Sequence, residues 1–155
     1  MTMFHKLYSP VFAAILLLGA ASPWTAHAQV SNSAMQSAPL YAALGEKNGI
    51  TQLTDDFVNR LKVDARLAPA FKDANEKNLK LMLAQQFCKL SGGPCVYEGA
   101  DMKSSHASMD ITKTDFHALV EVLQASMDAR NIPFTAQNQL LALLAPMHRD
   151  VITVK

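Results

Sequence analysis

The sequence predicts an all-α domain, and three observations support this fold class. Apolar residues recur at the three- and four-residue spacing of a helix in successive segments. Glycine or proline residues separate these segments, as expected at helix ends. No segment shows the strict apolar–polar alternation that is typical of a half-buried strand, and none repeats another. The sequence therefore favours a bundle of helices over a fold that contains a sheet.

Three helices are predicted in the first half of the domain. A short one covers residues 40–44 and a longer one covers residues 50–63, where the apolar residues have helical spacing. Asp73 or Asn75 caps the third helix, and Gly92-Gly93-Pro94 ends it. Glycine accepts the left-handed conformation after a helix, and proline cannot continue one. These two preferences predict the end of the third helix at this point.

The second half of the domain carries three more predicted helices. A loop and a short helix within residues 99–109 contain His106. Thr112 or Thr114 then caps a long helix, because threonine at this position satisfies a free backbone N–H of the first turn. Thr135 is expected to cap the last helix, whose apolar positions are Leu140, Leu141, Leu144, Met147 and Val151, with Pro146 inside this helical pattern.

The N-terminal residues are typical of a secretory signal peptide. Lys6 provides a short basic start, an apolar run follows from Val11 to Ala21, and Ala26-His27-Ala28 places small residues before a cleavage site at Gln29. The apolar run is shorter than the roughly 20 residues that a membrane span needs, so an uncleaved anchor is the less favoured alternative. We therefore expect an exported protein, periplasmic or secreted, with no membrane association after cleavage.

This N-terminal pattern divides the chain into three regions. Residues 1–28 are the predicted signal peptide, residues 29–38 are a flexible leader rich in Ser, Asn and Gln, and residues 39–155 are one domain. The chain has 14 Lys and Arg residues and 13 Asp and Glu residues, and the signal peptide contributes only Lys6 to these. The mature chain is thus formally neutral, which argues against nucleic acid or an anionic membrane surface as its partner.

Two cysteines, Cys88 and Cys95, flank the Ser-Gly-Gly-Pro turn. In an oxidising compartment such a pair closes a disulfide if the two Cα atoms come within about 7 Å. Alternatively, both are small buried hydrophobic residues, since free cysteine packs well in a core. The sequence leaves these two interpretations equal. It contains no C-x-x-C-H, so covalent attachment of a c-type haem is not indicated.

The mature chain contains three histidines. His117 lies on the polar stripe of its helix, which indicates a solvated side chain, and His148 lies at the edge of an apolar face and is ambiguous. His106 lies on an apolar face, with Met102 before it and Met109 after it. Spacing alone is compatible with a buried histidine that is hydrogen-bonded to the backbone, and also with a metal ligand.

The residues around His106 occur in an order that resembles the proximal-histidine region of the group I truncated haemoglobins. The matching series in this region is Gly92-Gly93-Pro94, Tyr97, Gly99, Met102 and His106. The similarity extends from Leu40-Tyr41 to about Val151, and further matching pieces are Leu44-Gly45, Gly49-Ile50, Asp56-Phe57, Pro69-Ala70-Phe71, Ile111-Thr112, Phe116, Ala145-Pro146 and Arg149-Asp150-Val151.

The resemblance implies the shortened globin fold, a two-on-two helical sandwich around a b-type haem. It makes His106 the axial ligand of the haem iron. The residues that it implies for the apolar part of the pocket are Phe57, Phe71, Leu83, Phe87, Met102 and Phe116. Tyr97, Lys103 and Lys80 are the candidates for contacts with the haem propionates.

The function implied by the resemblance is binding of dioxygen or another diatomic gas, such as nitric oxide or carbon monoxide, at the haem iron. An enzymatic alternative is oxidation of nitric oxide, or peroxide and nitrite chemistry. Such turnover needs an external electron donor, because one domain leaves no room for a reductase module. A third interpretation is a haem-free helical interaction protein in which His106 is merely buried.

The chain departs from the family pattern on the distal side. Many relatives carry a Phe-Tyr pair in the second helix, and the tyrosine hydroxyl donates a hydrogen bond to bound dioxygen. The corresponding pair here is Phe57-Val58, so a donor worth about 1.5–3 kcal/mol is missing. Lys80, Gln85 and Gln86 are the residues that could compensate, and Met82 or Lys80 is a candidate ligand to the iron itself. We therefore expect weak stabilisation of bound dioxygen.

Overall fold

Every regular element that the computed structural model describes, within residues 39–154, is a helix. A short helix, α1, covers residues 39–43. The elements that follow are α2 (Glu46–Leu61), α3 (Ala68–Phe71), α4 (Glu76–Leu90), α5 (Met102–His106), α6 (Lys113–Ala129), α7 (Phe134–Leu144), a 3₁₀ turn (Ala145–Met147) and α8 (His148–Val151). The predicted all-α class is confirmed. The predicted signal peptide, 1–28, and leader, 29–38, lie outside the described residues.

The four long helices form two packed pairs. Helix α2 packs against α4, and α6 packs against α7. The pairs meet where α2 contacts α6 and where α4 contacts α7. Large apolar side chains fill the space between them, and those most fully buried include Leu53, Phe57, Leu61, Phe87, Leu123, Met127 and Leu140. Complete burial of each such side chain contributes about 1.5–3 kcal/mol to folding. Between residues 39 and 154, no helix has both the length and the apolar character needed to cross a membrane.

The structure decides between the alternative helix caps. The Asn75 side chain accepts a hydrogen bond from the backbone N–H of Asn78 at 3.0 Å, so Asn75 caps α4. Thr112 caps α6: its hydroxyl oxygen accepts from the backbone N–H of Asp115 at 3.2 Å, and the Asp115 carboxylate accepts from the backbone N–H of Thr112 at 2.9 Å. The Thr112 hydroxyl also donates to the Asp115 carboxylate at 2.7 Å, and this bond together with the one from the Thr112 backbone N–H lowers the pKa of Asp115. The reciprocal pair is a capping box, which satisfies two backbone donors at once.

The prediction for the last helix was wrong in two respects. Helix α7 begins at Phe134 after Pro133, so Thr135 lies inside the first turn instead of capping it. Proline is favoured at a helix start because it needs no hydrogen-bond partner for a backbone N–H. The helix is also not continuous, since Pro146 lies in the 3₁₀ turn that separates α7 from α8. Proline has no N–H to donate to the preceding turn, which explains the interruption.

The turn after α4 is closed by a disulfide between Cys88 and Cys95, whose Cα atoms lie 5.7 Å apart. Gly92 has a φ of 85°, the left-handed conformation that glycine adopts without strain. The backbone N–H of Gly93 then donates to the carbonyl of Cys88 at 2.8 Å, which satisfies the end of the helix. Of the two interpretations of this cysteine pair, the disulfide is the one that the structure contains.

Candidate functional site

His106 is held in one defined orientation by its own helix. Helix α5 begins at an Asp101 cap, whose carboxylate accepts from the backbone N–H of Ser104 at 2.9 Å. One turn later, Nδ1 of His106 lies 2.7 Å from the carbonyl oxygen of Met102. A carbonyl only accepts hydrogen bonds, so Nδ1 carries a proton, and in the neutral imidazole Nε2 then has the lone pair. Histidines that bind metals are oriented by a hydrogen bond of this kind.

A cavity of about 380 Å³ lies beside this imidazole. Three parts of the fold border it: the corner between α2 and α3 together with α3, the segment from the end of α5 into α6, and α8. Most of the lining side chains are apolar, and these are Leu67, Pro69, Ala70, Phe71, Met109, Ile111, Phe116, Leu119 and Val151. Ligand and cofactor pockets typically enclose roughly 300–1,000 Å³ and have mainly apolar walls, so both the size and the lining fit this class of site.

The two charged residues in the cavity wall are already bound to protein partners. The Arg66 guanidinium lies 2.8 Å from a carboxylate oxygen of Asp64 and 2.6 Å from one of Glu121. The hydrogen bonds from Arg66 lower the pKa of Asp64 to about 2. Asp115, the other charged lining residue, is engaged in the capping box of α6. The imidazole of His106 is therefore the polar group that this wall offers to a ligand.

A single histidine in an apolar wall fits a particular class of metal site. Among residues 39–154, no group of three or more His, Cys, Asp or Glu side chains is arranged to hold a metal ion directly. A haem brings four nitrogen ligands of its own and needs only an axial ligand from the protein, which a histidine commonly supplies. The oriented His106 and the apolar cavity beside it fit such a group.

Comparison with known proteins identifies the family. A model described as bacterial-like globin matches residues 39–153. The chain belongs to the bacterial-like globin family. Group 1 truncated haemoglobin GlbN of Mycolicibacterium paratuberculosis is 26% identical over 118 residues, which cover 76% of this chain and 87% of that protein. The GlbN of Nostoc commune is 28% identical over 104 residues, which cover 67% of this chain and 86% of that protein.

Solved structures show the same fold. The truncated haemoglobin of Tetrahymena pyriformis in its Fe(III) form superposes with a TM-score of 0.70 at 22% identity, covering 73% of this globin and 97% of that chain. The 2/2 haemoglobin of a Synechococcus species, in the cyanomet state with covalently attached haem, gives a TM-score of 0.68 at 18% identity, with the same coverage. The predicted two-on-two globin fold is thus confirmed, and membership of the globin family implies a haem-binding protein.

The globin brings some of the predicted pocket residues together. Phe71 and Phe116 line the cavity with His106. Phe57 and Phe87 are instead almost fully buried in the core between the helix pairs, with 2% and 1% of their surface exposed. Leu83 is half-buried and packs against that core, and Met102 supplies the carbonyl that holds His106.

The three candidates for propionate contacts are placed apart from the cavity wall. The Tyr97 hydroxyl donates to the carbonyl of Ala100 at 2.9 Å, and burial raises its pKa. Its ring lies where a Cβ on Gly99 would come within 2.4 Å, which explains the Tyr-x-Gly pattern as local packing. Lys103 is exposed on α5.

Lys80, the third of these candidates, faces α2. Its ammonium nitrogen lies 2.8 Å from a carboxylate oxygen of Glu76 and 3.0 Å from the amide oxygen of Asn59. A second carboxylate, that of Asp55, lies 3.5 Å away. Because of the hydrogen bond to Glu76, the pKa of Lys80 is raised. Lys80 is therefore a surface link between α4 and α2 in this structure.

Sequence reasoning missed several residues of the cavity wall. Four of them, Pro69, Ala70, Ile111 and Val151, belong to the segments that match the truncated haemoglobins, so the resemblance could have indicated them. Arg66 carried no such signal, because its partner Glu121 lies 55 positions away in the sequence. The remaining lining residues that were not predicted are Leu67, Met109, Asp115 and Leu119.

Proposed function

We propose that this globin binds haem b with His106 as the axial ligand, and that it binds dioxygen or another diatomic gas at the opposite face in an exported compartment. The observation that carries the proposal is the hydrogen bond of 2.7 Å between Nδ1 of His106 and the carbonyl of Met102, in the wall of an apolar cavity. In the neutral imidazole this bond leaves the lone pair on Nε2, and it fixes the direction in which that lone pair points.

The remaining residues of the cavity define how the group is held. Haem iron, when bound, supplies an open coordination position for a diatomic gas. Phe71 and Phe116 offer flat apolar surfaces for a porphyrin, and the ion pairs of Arg66 keep its guanidinium fixed at the wall. A porphyrin that covers these apolar surfaces would exclude water from the Nε2 side of His106. Each Å² of apolar area that is covered would contribute about 25 cal/mol to the free energy of haem binding.

A residue of α2, Val58, supports the inference that dioxygen is held weakly. Val58, at the position where the resemblance places a tyrosine in many relatives, is fully buried and has no hydrogen-bond donor in its side chain. A donor to a partly charged bound gas is worth about 1.5–3 kcal/mol, which corresponds to a ten- to hundredfold change in dissociation rate. We infer that dioxygen leaves this globin faster than it leaves the tyrosine-bearing relatives.

Haem binding is tested by titrating the purified protein with hemin and recording the absorption of the ferric, ferrous and ferrous carbon monoxide forms. We expect saturation at one haem per chain and a carbon monoxide complex with a histidine-ligated spectrum. His117 is exposed on α6 and does not line the cavity, so His117→Ala serves as the matched control and should titrate like the wild type. Absence of saturable uptake would contradict the proposed function.

The proposal of an exported compartment rests on the N-terminal pattern and is supported by the disulfide. Cys88 and Cys95 are bonded, and disulfides persist mainly in oxidising compartments. For the full chain expressed in a Gram-negative host, we expect a periplasmic product whose mass corresponds to a start at Gln29. Leu17→Arg, which places a charge in the apolar run, should leave an uncleaved precursor in the cytoplasm. Wild-type protein recovered uncleaved from the cytoplasm would overturn this part of the proposal.

A further inference from the structure

The segments around His106 are held less firmly than the rest of the fold. Helices α5 and α8 pack against each other, and neither contains a buried residue. The four long helices, by contrast, each contribute buried side chains to the core. Segments with few buried apolar contacts open locally at a lower free energy than the core does. We refer to α5, residues 107–110 and α8 together as the α5–α8 unit.

Three hydrogen bonds close this unit at Ile111. The backbone N–H groups of Thr153 and Val154, which follow α8, both donate to the carbonyl of Ile111 at 3.0 Å. In return, the backbone N–H of Ile111 donates to the Thr153 hydroxyl at 2.8 Å. Both backbone polar groups of Ile111 are therefore engaged by the segment after α8. We call these three bonds the C-terminal clamp.

The position of Ile111 in the chain makes it an anchor for the α5–α8 unit. Ile111 directly precedes Thr112, the cap of α6. Helix α6 packs against α2, so the C-terminal clamp ties the end of α8 to a helix of the core. Between His106 and Ile111, Asp110 has a φ of 51°, a left-handed conformation that costs energy for a residue with a side chain. The clamp therefore fixes the far end of a strained loop that begins at His106.

The C-terminal clamp lies at the edge of the cavity. Ile111 and Val151 line this cavity together with His106, and the clamp joins the chain just after Val151 to Ile111. Thr153 and Val154 are exposed, so water competes for the donors and acceptors of the clamp. The clamp can therefore open at the surface while the core of the protein stays packed.

The hydrogen bond from α4 to the α5–α8 unit is weaker than the bonds of the clamp. The Gln86 amide nitrogen lies 3.5 Å from the sulfur of Met102 in α5, and a thioether is a weak acceptor. The clamp uses a backbone carbonyl and a hydroxyl, which accept hydrogen bonds more strongly. We therefore expect opening of the clamp to free the His106 wall of the cavity while the long helices stay folded.

We propose that Thr153 is a positioning residue of the haem site, and that opening of the C-terminal clamp sets the rate at which haem leaves. This inference rests on the proposed haem site. Thr153 does not line the cavity, so it acts through Ile111. Its hydroxyl holds the backbone of Ile111, and Ile111 holds the loop that begins at His106. Release of this loop lets the axial ligand move away from the group that it binds.

The first test is hydrogen–deuterium exchange of the haem-free protein. Thr153→Val removes the hydroxyl and keeps the shape of the side chain, whereas Thr153→Ser keeps the hydroxyl. In Thr153→Val we expect exchange to be about two- to tenfold faster in peptides that cover residues 102–111 and 148–154, because one hydrogen bond is lost. Thr153→Ser should exchange like the wild type. Thr51→Val is the matched control, since the Thr51 hydroxyl also bonds to backbone, the carbonyl of Lys47, and does not line the cavity.

The second test is transfer of haem from the loaded protein to an excess of apomyoglobin. Haem should leave Thr153→Val about two- to tenfold faster than it leaves the wild type, Thr153→Ser and Thr51→Val. Exchange that rises equally in α2 and α4 would indicate a general loss of stability and would overturn the role of the clamp. Unchanged haem loss in Thr153→Val would overturn the role of Thr153 while leaving the proposed function intact. A wild type that takes up no haem would refute both proposals, so the two failures are distinguishable.

Discussion

Replacing His106 with Gly is expected to abolish the histidine-ligated haem spectrum and to weaken haem binding by more than about 100-fold. Loss of a residue that merely orients a metal ligand already costs about 10- to 100-fold in affinity, so loss of the ligand itself should cost more. The measurement is a hemin titration of the variant, with spectra of the ferric, ferrous and carbon monoxide forms. Added imidazole should enter the vacated space and restore the spectrum.

Two controls separate ligation from folding in this experiment. His148→Ala should bind haem like the wild type, because His148 is exposed and does not line the cavity. Its ring lies edge-to-face with that of Phe116, with 6.1 Å between the ring centroids. The helical circular dichroism of His106→Gly should also remain close to that of the wild type, since α5 is short and His106 is its last residue. An unchanged haem spectrum in His106→Gly would show that another residue holds the iron.

Removal of the disulfide is expected to destabilise the protein and to speed haem loss. The double variant Cys88→Ala/Cys95→Ala lacks a cross-link that closes a loop with a sequence separation of 7. Chain entropy predicts a loss of about 2–3 kcal/mol in the free energy of unfolding for such a loop. Urea denaturation measures this loss, and transfer of haem to an excess of apomyoglobin measures the rate at which haem leaves.

The effect on haem follows from the position of the loop. Cys88 is almost fully buried at the end of α4, and the chain that leaves Cys95 leads into α5 and His106. Without the bond, this segment would be held to α4 by the two hydrogen bonds between Gln85 and Glu98 and by the contact of the Gln86 amide with the sulfur of Met102. The wild type in a thiol reductant should behave like the variant, and the variant should not respond to the reductant. Equal unfolding curves for the oxidised wild type and the variant would show that the cross-link contributes nothing.

Much of the fold was predictable because it depends on neighbours in sequence. The caps at Asn75 and Thr112 satisfy backbone groups only three residues away, and the turn at Gly92 is a local conformational preference. The orientation of His106 also belongs here, since its partner is the carbonyl of Met102 one turn earlier. Where local signals compete, prediction failed: Thr135 and Pro133 are both good residues for a helix start, and the chain uses Pro133.

By itself, the sequence determined the helical class and the order of the long helices, because spacing and short-range hydrogen bonds encode them. Spacing did not single out His106 as a ligand, and that proposal came from the resemblance to the truncated haemoglobins. Only the tertiary structure decided which walls enclose the cavity, that Arg66 is bound to Glu121, and that Lys80 faces α2 instead of the pocket. It also decided between a disulfide and two free thiols at Cys88 and Cys95. Each of these depends on how distant segments approach in space, and side-chain spacing along one helix carries no information about the surface that packs against it.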